Sequence, residues 1–251
     1  MQLDGKIGLI TGGTTGIGFE TAKHAFKQGA KAIAITGQNE DRLASARDAL
    51  TPLGDVMAIR WRADQPDDTE HLAGMLKDKY GAIDFAFANA GVCWPTPLGD
   101  VDGSAAQSQM MVNFTGPLLL VQALVPLMTN GGAIVLTTSC LHQLGIPGYA
   151  VYSASKAALR SLARTLSAEL KDRGIRVNTL APGPFETPIH GKFGMDPAQL
   201  QDAKGHVAAM VPIGRFGQTD EIVDAAVFLA SDGSRYMLGE EISVDGGWSN
   251  L

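Results

Sequence analysis

Short apolar or β-branched runs alternate along the chain with longer segments whose apolar residues recur every three or four positions. The short runs have the length of strands, and the longer ones present one apolar face of a helix. Strands are predicted at 6–11, 31–36, 55–61, 83–88, 132–138, 175–180 and 241–244. Helices are predicted at 16–28, 40–50, 67–79, 104–128, 149–172 and 220–230. Strict alternation of this kind implies an α/β fold, a parallel sheet covered by helices. Gly29 and Gly174 stand just past two helices, where a left-handed residue ends the last turn. Asp220 opens the last long helix, with Thr219 placed to cap it. The segment 182–212 breaks the alternation with prolines, glycines and short helical pieces. An insertion of that size in a compact α/β domain reads as a lid or substrate loop.

With 251 residues and no linker, repeat or low-complexity tract, the chain (1–251) reads as one domain able to bury a large core. Its net charge of −6 and pI near 5.3 argue against nucleic-acid partners, because phosphate recognition needs a basic surface. Cys93 and Cys140 have no metal-ligand spacing, so neither a disulfide framework nor a zinc site is expected. The first residues lack the apolar core of a signal peptide, and the apolar stretch 117–128 is too short to span a bilayer. A cytoplasmic protein with no membrane partner is the expectation.

The first predicted strand runs into Thr11-Gly12-Gly13-Thr14-Thr15-Gly16-Ile17-Gly18, followed by a helix. Glycines at such a junction allow a tight turn and close approach of backbone to a pyrophosphate, which the helix N–H groups then face. The spacing is G-x-x-x-G-x-G, not G-x-G-x-x-G. At the end of the second strand, an acid would bind a ribose 2′-hydroxyl and a base a 2′-phosphate. This chain has Gly37-Gln38-Asn39, and Thr15 is neutral too. Without the carboxylate nothing repels a 2′-phosphate, and Gly37 leaves room for one. NADP is therefore favoured, with NAD the close alternative.

Tyr152-Ser153-Ala154-Ser155-Lys156 puts a phenol and an ammonium on one helical face. An ammonium about 4 Å from the phenol, at an effective dielectric near 20, is worth roughly 4 kcal/mol. That equals about 3 pKa units, enough to bring a phenol of pKa near 10 toward neutrality for acid–base work. Ser139 closes the strand 132–138, where an open α/β sheet presents its ligand crevice, and its hydroxyl could hold a substrate oxygen beside the phenol.

Taken together, these motifs resemble the short-chain dehydrogenase/reductase family, in its branch of about 250 residues, over nearly the whole chain. The glycine turn 11–18, Asn89-Ala90-Gly91, Asn113, Ser139, Tyr152 with Lys156, Pro182-Gly183 with Thr187, and Asp245-Gly246-Gly247 all correspond in order. The resemblance implies a Rossmann-like, doubly wound, mostly parallel seven-stranded sheet with helices on both faces. It implies hydride transfer between a nicotinamide and a ketone or secondary alcohol, with no metal. Tyr152 would exchange the proton, Lys156 would tune it and bind the nicotinamide ribose, and Ser139 would orient the substrate oxygen. Asn113 would hold a water that relays protons to Lys156. Gly12, Thr14, Thr15, Gly16, Ile17, Gly37, Gln38, Asp64 (at the adenine), Asn89, Gly91, Pro182, Gly183, Phe185 and Thr187 would line the cofactor. Gln38 and Phe185 depart from the family pattern. A homotetramer is implied by resemblance, with a dimer next.

Substrate walls are expected from 140–149, 92–97 and the 182–212 loop, with Trp94, Cys140, His142, Tyr149, Phe185 and His190 as candidates. No acid neighbours His142 in the chain, so no triad is expected, and the histidines read first as surface or packing residues. Between Lys79 and Lys156 there is no Lys or Arg, which argues against docking of an acidic acyl carrier protein. A freely diffusing ketone or alcohol is preferred over the alternative, a 3-oxoacyl thioester. A catalytically inactive cofactor sensor would be expected to lack Tyr152, Lys156 or Ser139, and all are present.

Overall fold

The computed structural model describes residues 1–187 and 196–251. Seven parallel strands form one sheet in the order β3-β2-β1-β4-β5-β6-β7. The strands are β1 (Ile7–Ile10), β2 (Ala32–Gly37), β3 (Asp55–Arg60), β4 (Ile83–Ala88), β5 (Met128–Thr137), β6 (Arg176–Pro182) and β7 (Glu241–Val244). The chain winds outward from β1 in one direction and from β4 in the other, so the crevice at the carboxyl ends of β1 and β4 is the topological switch point. The Rossmann-like expectation holds, and the sheet is wholly parallel.

Period-2 alternation sends successive strand residues to opposite faces. Leu9, Ala86, Ile134 and Val177 face one core, covered by α3 (Pro66–Tyr80), α5 (Gly116–Leu124) and α6 (Ala150–Leu170). Ile10, Phe85, Val135 and Leu180 face the other, covered by α1 (Gly16–Lys27), α2 (Glu40–Leu50) and α8 (Val223–Ala230). Burying a side chain like Phe85 stabilises by roughly 1.5–3 kcal/mol. Its ring lies across Gly8 of β1, where an added Cβ would stand 2.1 Å from the ring's Cζ, so the glycine is part of the packing.

Several expected boundaries shift. The long helix expected at 104–128 is α4 (Gly103–Met110), a π-helical turn (Met111–Thr115), α5 and a 3₁₀ turn (Val125–Leu127). By length and composition alone the run Gly103–Leu127 could cross a membrane, which the expectation from 117–128 had excluded. Leu120, Val121 and Leu124 of that run are nevertheless packed into the core. Strand β5 starts at Met128, earlier than expected, because Met128 pairs with Ile83 before a register shift. Thr219 caps nothing: Gln218 and Glu221 make the reciprocal cap of a 3₁₀ turn ahead of α8. Within the 182–212 segment, α7 (Pro197–Met210) is a full helix, capped by Asp196 and Gln199.

Candidate active site

The β1–α1 turn is built by glycine. Gly12 (φ +64°) and Gly16 (φ +57°) occupy left-handed backbone that residues with a Cβ rarely adopt. A Cβ on Gly18 would come 2.4 Å from the Gly12 carbonyl, so α1 packs against the turn only because that position is bare. Asn89, at the end of β4, donates its side-chain amide to the Thr11 carbonyl at 3.1 Å. The Thr11 hydroxyl in turn accepts the Asn89 and Ala90 N–H groups, each at 3.0 Å. Asn89 thus holds the turn in place. Thr15 provides no side-chain cap, so the first N–H groups of α1 remain available at the turn.

A cleft of about 640 Å³ runs from this turn across the carboxyl ends of the strands. Gly12, Thr14, Thr15, Gly16, Ile17, Gly37, Gln38, Asn89, Gly91, Pro182, Gly183, Phe185 and Thr187 all line it. Asp64 does not; Trp61 and Ala63 form the wall on that side. A Cβ on Gly37 would lie 2.5 Å from Thr14 Cγ2, so this position packs against Thr14 only because it is bare. Sequence reasoning also missed Arg42, which lines the same end of the cleft. Its N–H bonds the Asn39 cap at 2.8 Å, and its exposed guanidinium has no ion pair among the described residues. A cation in a helix's first turn runs against the helix dipole, a signal that could have found it.

At the other end, α6 carries Tyr152 and Lys156 beneath the tip of β5. The Lys156 ammonium is buried, donates to the Thr137 carbonyl at 2.7 Å and lies 5.8 Å from the centroid of the Tyr152 ring. Burial lowers Lys156 to about 8. The Tyr152 phenol, hydrogen-bonded to Ser139, is raised instead of lowered: burial dominates, the Cys93 thiol adds to it, and the Ser139 bond offsets only part. The expected lowering of the phenol toward neutrality is not met, because burial outweighs it. The ammonium is directed to Thr137. The phenol keeps its proton at neutral pH, the state a proton donor requires.

Ser139 follows β5 and opens the 3₁₀ turn Cys140–His142, its hydroxyl accepting the Leu141 N–H at 3.2 Å. Asn113 sits fully buried in the π-helical turn, a form of helix often found at functional sites. Its side chain exchanges bonds of 2.9 and 2.8 Å with the Val92 backbone, and its second amide proton goes to Ser155 Oγ at 3.1 Å. Both amide protons are spent, so the side chain cannot donate to a water. Its effect on the site is to clamp the 91–93 loop: an added Cβ on Gly91 would stand 3.4 Å from the Lys156 ammonium.

Cys140, Tyr149 and Phe185 line the substrate end, with Phe185 packed on Gly217, whose added Cβ would meet its ring at 2.5 Å. Trp94 does not line it; its N–H is held by buried Gln109 at 2.7 Å. His142 is turned away and meets Glu241 at 3.1 Å, so the chain has a neighbouring acid that only the fold supplies. His190 lies outside the described residues. Trp248 and the α7 side chains Leu200 and Val207 complete the wall. Cys93 and Cys140 are pushed up to about 12 by burial, so both thiols are neutral and inert. No cluster able to hold a metal ion occurs among the described residues.

The glycine cradle, the uncapped start of α1 and the buried Thr137 hydroxyl, which lines the cleft without a partner, fit a nicotinamide dinucleotide. Residues 12–249 match the family model described as Enoyl-(Acyl carrier protein) reductase. The chain is 37% identical to Oxidoreductase asL5 of Sarocladium schorii, covering 100% of this chain and 98% of that one. A short-chain type dehydrogenase/reductase from Mycobacterium marinum superposes with a TM-score of 0.92 at 31% identity, covering 100% of this chain and 98% of the other. A blue fluorescent protein from a metagenomic library, solved in complex with NADPH, superposes at 0.89 with 28% identity and 99% coverage of both chains.

Proposed function

Because the chain belongs to the short-chain dehydrogenase/reductase family, we propose that Ser139, Tyr152 and Lys156 carry out its NAD(P)-dependent oxidoreduction on a neutral ketone or secondary alcohol. The dinucleotide, when bound, supplies or accepts the hydride. Tyr152 delivers a proton to the substrate oxygen in reduction, and its raised pKa keeps that proton in place. Ser139, bonded to the phenol, holds the oxygen beside it. Lys156 contributes an ammonium next to the unpartnered Thr137 hydroxyl, a pair suited to ribose hydroxyls. Asn113 acts as a clamp on the 91–93 loop. The whole chain works as one unit, with the 182–212 segment as its substrate wall.

The convergence of Ser139, the Tyr152 phenol and a buried ammonium in one cleft carries this reading. NADP is the preferred cofactor: among the described residues Arg42 is a cation without an ion pair at the end of the cleft where a 2′-phosphate would lie, and no carboxylate of theirs lines that end. The substrate is neutral and apolar. Leu141, Ile146, Leu200 and Val207 supply the wall, and among the described residues its cation Lys204 is paired with Glu186. That arrangement disfavours an acyl chain presented by an acidic carrier. We also infer a homotetramer from the family resemblance, and a cytoplasmic location. Reduction of a panel of neutral cyclic and aromatic ketones, followed at 340 nm with NADPH and with NADH, tests the reading. Turnover of an acyl-carrier thioester in preference to free ketones would overturn the substrate class.

A further inference from the structure

His142 and Glu241 form a partly buried pair that the chemistry above does not use, next to Ser139. Glu241 lies on β7 in register with Thr179 of β6. One carboxylate oxygen accepts the Thr138 and Thr179 hydroxyls at 2.6 and 2.9 Å. The other accepts the Gln143 amide at 3.2 Å and faces His142 Nε2 at 3.1 Å. The second ring nitrogen, Nδ1, contacts the main-chain carbonyl of Ser139. A carboxylate and a carbonyl are acceptors only, so the imidazole bonds both of them solely when each nitrogen carries a proton.

We infer that His142 is held as an imidazolium that ties the Ser139 turn to Glu241, making both residues positioning groups for Ser139. The pair joins the end of β5, where the serine emerges, to a strand two places away in the sheet. The charged groups around the ring are few. Glu241 approaches from β7 and the Arg160 guanidinium from α6, at 3.7 Å from Glu241. Asp245, just past β7, is felt by Cys140 on the same turn, while Thr138, Thr179 and Gln143 bring no charge. The Glu241 bond is the largest cause of a raised His142 pKa. Burial works to raise Glu241, but the bonds from His142 and Thr138 outweigh it and leave it lowered. The pair is therefore complete below the ordinary histidine range and is lost as pH rises through the raised folded value. At acid pH it is lost as Glu241 protonates below its ordinary range.

The kinetic arm of the test rests on the reductase reading; the spectroscopic arm does not. With isotope-labelled histidine, the His142 resonance is identified by its absence in His142→Gln. It should titrate above about 6.5, the free-histidine value, and fall toward that value in Glu241→Gln. In both variants, and in the double variant that replaces the ion pair by neutral amides, hydrogen exchange should quicken at 139–143 but not at the glycine turn. With the best ketone of the panel, kcat should fall about ten- to a hundredfold, the scale of a misplaced catalytic group. NADPH affinity, read by its fluorescence, should stay within about twofold, because neither residue touches the cofactor cleft. A His142 titrating at or below the free value overturns the inference, as does unchanged kcat in Glu241→Gln. If no ketone is reduced, the reductase reading fails, and the titration with the exchange rates still decides this one.

Discussion

Replacing Arg42 isolates the cofactor-choice end of the cleft from the chemistry at the other. The guanidinium is exposed, so its attraction to a phosphate is screened. Two unit charges 4 Å apart are worth about 1 kcal/mol in water and about 4 kcal/mol at an effective dielectric of 20. Exposed ion pairs deliver only about 0.2–1 kcal/mol. A doubly charged phosphate gripped by a planar fork belongs at the top of that range. Arg42→Ala should thus cost about 1 kcal/mol, roughly fivefold in NADPH affinity. Arg42→Glu exchanges attraction for repulsion, about 2 kcal/mol or roughly thirtyfold. NADH affinity should change by less than about twofold, as it lacks the group being read. Fluorescence titration of both reduced cofactors measures the ratio directly, and added salt should shrink the effect. Equal losses for NADPH and NADH would mean Arg42 supports the fold of α2 and does not meet the 2′ group. Gly37→Asp is the poorer probe, because its side chain would first displace Thr14.

Lys156 should cost the free protein stability. Its pKa is about 8 when folded against 10.5 when free, so between those values the unfolded chain binds more protons and stability rises with pH. The difference corresponds to about 3 kcal/mol at neutral pH, less about 1 kcal/mol for the Thr137 carbonyl left unbonded in its absence. Lys156→Met should therefore melt higher than the native protein at pH 7 and lose that rise between pH 8 and 10.5; a lower Tm at pH 7 would contradict this. In ketone reduction, kcat/KM should fall as pH passes about 8 and Lys156 loses its charge, whereas a limb beginning only near the ordinary tyrosine value would implicate the phenol instead. Gly18→Ala should weaken binding of both cofactors and destabilise by about 1–3 kcal/mol, because its Cβ meets the Gly12 carbonyl at 2.4 Å. Unchanged denaturant midpoint and cofactor affinity would show that the turn yields easily.

Much of this was legible in the chain because the signals are local. Glycines at 12, 16 and 18 mark a left-handed turn packed against a helix, and apolar alternation set the strands of both cores. The run 104–128 misled because nothing in an unbroken apolar stretch marks a π-helical turn or the point where Met128 leaves the helix to pair with Ile83. Glu241 stands 99 residues beyond His142, and only sheet order brings them together. The ammonium–phenol spacing was readable, but its electrostatic outcome was not. A sequence does not say that Lys156 donates its hydrogen bond to the Thr137 carbonyl, nor that burial governs the phenol.

The proposed proton donor in carbonyl reduction is the Tyr152 hydroxyl. Tyr152→Phe removes one oxygen and leaves the ring, so NADPH fluorescence titration should stay within about twofold, since the hydroxyl contributes little to dinucleotide affinity. Single-turnover reduction of the best panel ketone should slow by about a hundred- to ten-thousandfold, the scale of a lost general acid. Reduction within a few-fold of the native rate, with NADPH bound normally, would contradict the claim and move the proton donor elsewhere in the cleft.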